Sequence, residues 1–171
     1  MRGPAIDRRR LLLVSLLGAA AWLTAPVAQA GIDCSASSSG VNFGEYDPTV
    51  ATPKDAVGTL TVSCTYVGTG GSTEAHFQVF LSPGLSGNYR QRQMASGVNR
   101  LNYNLYMDAA RSQLLGDNSN STERLEGELR VGPGVGNNTR TTTYSMYGRI
   151  PALQDAKTGS YADTIVVTLQ F

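Results

Sequence analysis

Residues 57–66 read Val-Gly-Thr-Leu-Thr-Val-Ser-Cys-Thr-Tyr. Successive side chains of an extended chain point to opposite sides, so Leu60, Val62, Cys64 and Tyr66 share one face, and Thr59, Thr61, Ser63 and Thr65 share the other. One face is apolar and the other carries hydroxyls. That period of two predicts a half-buried strand with Cys64 turned inward. Gly68 to Ser72 follows as a glycine-rich turn.

The same pattern recurs on the C-terminal side. Ala75 to Ser82 places Phe77, Val79 and Leu81 on an inner face and ends at Pro83-Gly84. Leu101 to Asp108 alternates Leu101, Tyr103, Leu105 and Met107 with Asn102, Asn104, Tyr106 and Asp108. Leu125 to Val131 turns Leu125, Leu129 and Val131 inward, and Thr141 to Ile150 does so with Tyr144, Met146 and Ile150. Asp163 to Phe171 is expected to be a last strand, with Ile165, Val167, Leu169 and Phe171 inward. Polar clusters at Gly116–Asn120, Gly132–Asn138 and Asp155–Tyr161 read as loops. Only Ser86–Ser96 and Met107–Leu115 leave room for a short helix. Many short strands separated by turn clusters imply an all-β sandwich or barrel.

The length of 171 residues fits one domain preceded by a leader. Arg8, Arg9 and Arg10 form a basic start, Leu11 to Ala25 is uncharged and mostly apolar, and Ala28-Gln29-Ala30 offers small residues for cleavage between Ala30 and Gly31. Residues 1–30 are therefore expected to be a secretory signal peptide, with 31–171 as the domain. Removing a leader that holds four arginines and Asp7 turns the chain's net charge of +1 into −2, and no basic stripe of the kind that binds nucleic acid remains. In an exported chain the two cysteines, Cys34 and Cys64, are expected to form a disulfide rather than remain buried thiols.

Residues for catalysis are sparse. His76 is the only histidine and falls on the outward side of its strand. No zinc cluster, no serine–histidine pairing and no G-x-S-x-G elbow can be assembled around it. Asp108, Asp117, Asn118 and Asn120 lack calcium-loop spacing and read as turn residues. Arg149 and Tyr147, before Pro151, read as anchors of a corner. No cofactor, metal, enzyme activity or small-molecule substrate is expected.

Several stretches in one order carry a resemblance. Val41-Asn42-Phe43-Gly44-Glu45-Tyr46-Asp47-Pro48 follows the first cysteine, and Gly58-Thr59-Leu60-Thr61-Val62-Ser63-Cys64 leads to the second. Leu81-Ser82-Pro83-Gly84 with Tyr89 and Arg90, Leu101-Asn102-Tyr103-Asn104-Leu105-Tyr106, Tyr147-Gly148-Arg149-Ile150-Pro151-Ala152 and Gly159 to Thr168 complete the set. Over essentially the whole chain after the leader, this resembles the spore coat protein U domain family, which includes pilus subunits of the archaic chaperone–usher pathway. The resemblance implies an immunoglobulin-like, pilin-type β-sandwich that lacks its last strand. It also implies a strand lent first by a periplasmic chaperone and then, at an outer-membrane usher, by a neighbouring fibre subunit. Ile165, Val167, Leu169 and Phe171 are the residues it assigns to the groove and the gripped C-terminal strand. The expected route runs through the periplasm to a fimbrium or coat on the cell surface.

Cleavage after Ala30 leaves Gly31, Ile32 and Asp33 before Cys34. At ~3.4 Å per residue such a stub is too short to fill a groove, which points to a subunit that accepts a strand and donates none, as at a fibre tip or in a coat protein that never polymerises head-to-tail. Two other readings compete. One is a surface- or glycan-binding adhesin, for which Tyr46 and Tyr89 are candidate loop aromatics. The other is a self-contained periplasmic sandwich.

Overall fold

The computed structural model describes residues 31–68, 70–133 and 138–171. The expected leader, Ala30 included, lies outside the described residues. Eight strands form: β1 (Gly31–Gly40), β2 (Lys54–Val67), β3 (Thr73–Leu81), β4 (Arg92–Ser96), β5 (Asn99–Tyr106), β6 (Leu125–Val131), β7 (Thr139–Ile150) and β8 (Val167–Gln170). They make a sandwich of a five-stranded sheet, in the order β1-β2-β7-β5-β4, and a three-stranded sheet, β6-β3-β8.

β2 is the spine of the larger sheet, paired antiparallel with β1 on one side and β7 on the other. Its alternation behaves as the sequence predicts: Leu60, Val62, Cys64 and Tyr66 are all buried. On its outer face, cross-strand hydroxyl pairs join Thr61 to Thr143 at 3.1 Å and Thr65 to Thr139 at 2.9 Å. Cys34 lies directly opposite Cys64 in the β1–β2 register and the two form a disulfide. In the chain-entropy account, closing a loop of this length stabilises the fold by roughly 3–4 kcal/mol. Facing this sheet, β3 contributes Phe77, Val79 and Leu81, and β6 contributes Leu125 and Val131, all buried.

Two stretches with room for a short helix form none, and one expectation needs correction. Residues 86–96 hold no α-helix. A short 3₁₀ turn spans Gly84–Ser86, and β4 then pairs with β5 through a tight turn in which Gly97 takes a positive φ of 59°. A two-residue hairpin with such a glycine satisfies more backbone groups than a lone helical turn. Residues 107–115 are likewise turn and bridge, organised by Asp108, which accepts from the Ser112 and Gln113 amides at 3.0 and 2.8 Å. The last strand is shorter than the expected Asp163–Phe171. Only Val167–Gln170 pairs with β3, and Phe171 is 60 % exposed rather than turned inward.

Candidate functional site

The smaller sheet covers only part of the inner face of the larger one. Beyond β8 lies a groove of about 1320 Å³. Its floor is apolar: Leu101, Tyr103 and Leu105 from β5, Met146 and Ile150 from β7, and Met94 from β4. One wall is the extended segment 41–48 and the other is the segment 156–167.

Each wall is held by local chemistry. Phe43 lies over β7 at Gly148, where a Cβ would come within 2.6 Å of its ring, so only glycine admits the contact. Phe43 also meets the Tyr103 ring edge-on at 5.9 Å. The Tyr46 hydroxyl donates to the Pro151 carbonyl and accepts from the Gln154 amide, each at 2.9 Å. On the opposite wall, Ala162 exchanges backbone hydrogen bonds with Ala95 of β4. Asp163 accepts from the Tyr103 hydroxyl at 2.7 Å and from the Leu85 amide at 2.9 Å. Burial first, and this bond second, push the Tyr103 phenol well above its ordinary value.

β8 is paired on one side only. The Ser82 amide donates to the Val166 carbonyl, so the neighbouring hydrogen-bonded pairs are Phe80–Thr168 and Gln78–Gln170, because such pairs recur at every second residue. The same alternation turns the backbone N–H and C=O groups of Ile165, Val167 and Leu169 away from β3. No strand among the described residues pairs with that side. The side chains of Ile165, Val167 and Leu169 pack against the core yet stay half-buried. Exposed backbone groups beside an apolar trough are what strand addition requires.

The structure therefore brings Ile165 and Val167 to the groove wall, with Leu169 further along the same open edge, and leaves Phe171 outside it. Cys34 of β1 and Cys64 of β2 are not among the residues that line the groove. Gly31 begins β1. Tyr46 and Tyr89 are not exposed loop aromatics. Tyr46 is half-buried and tied down as described, and Tyr89 is buried over Arg92, with the Arg92 guanidinium carbon 5.2 Å from its ring centroid. Arg149 pairs with Asp55 across β7 and β2 at 2.7 and 2.8 Å, and Tyr147 lies beneath the Arg111 guanidinium. His76 is exposed on the outer face, between Glu74 and Glu128 at 4.0 and 3.6 Å.

Sequence reasoning missed Arg92. It is wholly buried, and its guanidinium donates to Asn104 Oδ1 at 2.9 Å and to the carbonyls of Ser82 and Leu115 at 3.0 and 2.8 Å. Ser82 in turn binds Val166 through both its amide and its hydroxyl. The buried cation thus fastens the point from which the groove wall departs. The one available signal was the shared face of Arg92 and Met94 in an extended reading.

Comparison with known proteins places this geometry. Residues 20–168 match the Spore Coat Protein U domain, a match that begins inside the expected leader. Protein U of Myxococcus xanthus is 31% identical over 138 residues, which cover 77% of this chain and 71% of that protein. A chain of the CsuC–CsuE chaperone–tip adhesion subunit pre-assembly complex, from the archaic chaperone–usher Csu pili of Acinetobacter baumannii, matches with a TM-score of 0.50 at 24% identity over 82% of this chain. The present chain spans 40% of that longer one, and the likeness is one of fold.

Proposed function

Because the chain belongs to the Spore Coat Protein U domain family, we propose that it is a structural subunit of a cell-surface fibre or coat, completed by a β-segment from another molecule. The observation that carries this reading is the one-sided pairing of β8 beside an apolar groove. A segment laid there would bond the outward N–H and C=O groups of Ile165, Val167 and Leu169. Its alternate side chains would pack against the partly buried Met94, Ile165 and Val167, above the buried Leu101, Leu105, Met146 and Ile150. The work done is assembly rather than turnover, and the groove takes a peptide strand rather than a small metabolite.

In this reading a periplasmic chaperone lends the segment first, an outer-membrane usher exchanges it, and a neighbouring subunit supplies the final one. The disulfide between Cys34 and Cys64 suits that oxidising route. With a leader removed between Ala30 and Gly31, the chain accepts a strand and donates none, which assigns it a terminal place in a fibre. N-terminal sequencing of the secreted protein tests that cleavage, and a start near Ala21 would leave a donor segment and move the subunit into the shaft.

The main test is expression with and without a strand-donating chaperone. The protein alone is expected to aggregate or be degraded, and the chaperone is expected to rescue it as a stable complex. A processed protein that remains a soluble, protease-resistant monomer without any partner would be self-contained and would refute the assignment.

A further inference from the structure

We propose that the segment accepted by this groove carries basic residues at the end that meets Glu45 and Asp47. The inference rests on the strand-accepting reading and concerns only which segment is accepted. The groove is electrostatically lopsided. Its lining holds three carboxylates, Glu45, Asp47 and Asp163, and one ammonium, Lys157. Lys157 lies 3.5 Å from Asp155, so its charge is offset close by. Asp163 is tied into the wall: one oxygen takes the Tyr103 hydroxyl, and the other takes the Leu85 and Thr164 amides.

Glu45 and Asp47 differ from these. Both are exposed, and neither takes part in an ion pair among the described residues. They flank Tyr46, whose hydroxyl is pinned to residues 151 and 154 just past the end of β7, so both sit at one end of the groove. Asp47 is held ionised by the hydroxyl and amide of Thr49, which keep its carboxyl below the ordinary range. The other end, beside Ser38, Gly40 and Val167, has no charged lining residue. The apolar floor binds any alternating segment in either direction; the acidic end distinguishes the two directions. A segment with its cations beside Glu45 and Asp47 gains attraction, and the reversed one does not. Exposed pairs of this kind change affinity by about three- to tenfold at low salt, and salt screens them.

The test uses synthetic peptides that share one alternating apolar pattern and differ only at their ends: lysines at the N-terminal end, lysines at the C-terminal end, glutamates, or uncharged serines. Each peptide is offered to the protein held in its chaperone complex, and release of the chaperone by the peptide is measured at low and high salt. One of the two lysine peptides is expected to bind about three- to tenfold tighter than the serine peptide, and the glutamate peptides more weakly. That advantage should vanish at high salt and in the Glu45→Gln/Asp47→Asn double variant, which alters exposed groups and keeps the Asp47 acceptor oxygen. Its urea midpoint in the chaperone complex, matched to that of the parent complex, shows that folding is unchanged. Equal binding by all peptides, or tighter binding by the glutamate set, overturns the charge inference and leaves the strand-accepting reading standing. Failure of every peptide to bind overturns both.

Discussion

β2 and β8 carry the same alternating pattern and reach different states. In β2 the inward residues Leu60, Val62 and Cys64 retain no measurable exposure, because β1 and β7 flank the strand and β3 and β6 lie across from it. In β8 the inward residues Val167 and Leu169 stay half-buried, because β3 pairs on one side and the groove lies on the other. Alternation therefore states which way a side chain points. It does not state how deeply the side chain ends up buried, which depends on how many neighbours the strand has.

Truncation separates the two strands most strongly. Leu60→Ala is expected to cost about 2–5 kcal/mol in urea unfolding, since a fully buried leucine leaves a cavity in a packed layer. Leu169→Ala should cost less, about 1–2 kcal/mol, in dilute protein freshly released from its chaperone, since that side chain is only partly buried. With a donor segment bound, the Leu169→Ala cost should rise towards the Leu60 value. Equal costs for the two residues in the free protein would break the comparison.

Removing the disulfide probes the closed side. A Cys34→Ala/Cys64→Ala variant is expected to lose roughly 3–4 kcal/mol. Donor binding at low denaturant should be unchanged, because neither cysteine lines the groove. A loss of donor affinity as large as the loss of stability would show that the two regions are coupled.

Arg92→Met tests how the open wall is fastened. It removes three hydrogen bonds and leaves the Ser82 and Leu115 carbonyls and Asn104 short of a donor, which costs about 1–3 kcal/mol. Hydrogen exchange should quicken around Val166 more than in β2.

The smallest effect comes from the outer face. Arg149, with Arg111 adding charge, holds the Asp55 carboxyl below its ordinary 3.8. A group whose folded value is depressed contributes fully above its unfolded value and loses that contribution as pH falls through the folded one. Asp55→Asn should therefore flatten the acid limb of stability below about pH 3.8, with little change in donor binding.

Legibility in the sequence followed the same division. β2, β3, β5, β6 and β7 were readable because each has a long alternating run and lies between or against other strands. The cysteine pair and the turn roles of Asp108 and Asp117 were readable because they depend on compartment and on neighbours a few residues away. β4 was not, since Arg-Gln-Met-Ala-Ser has no β-branched residue and takes its form from its pairing with β5. The burial of Arg92, Tyr89 and Tyr46 was not readable either, because their partners come from distant parts of the chain.

By itself the sequence established an all-β sandwich or barrel and the direction of most core side chains, because a two-residue period is a local fact, and it carried a family resemblance that implied the sandwich. Only the tertiary structure decided where a groove is left beside the core. Covering an apolar face depends on which strands from remote parts of the chain come to lie beside it, and here the walls at 41–48 and 156–167 approach each other without closing.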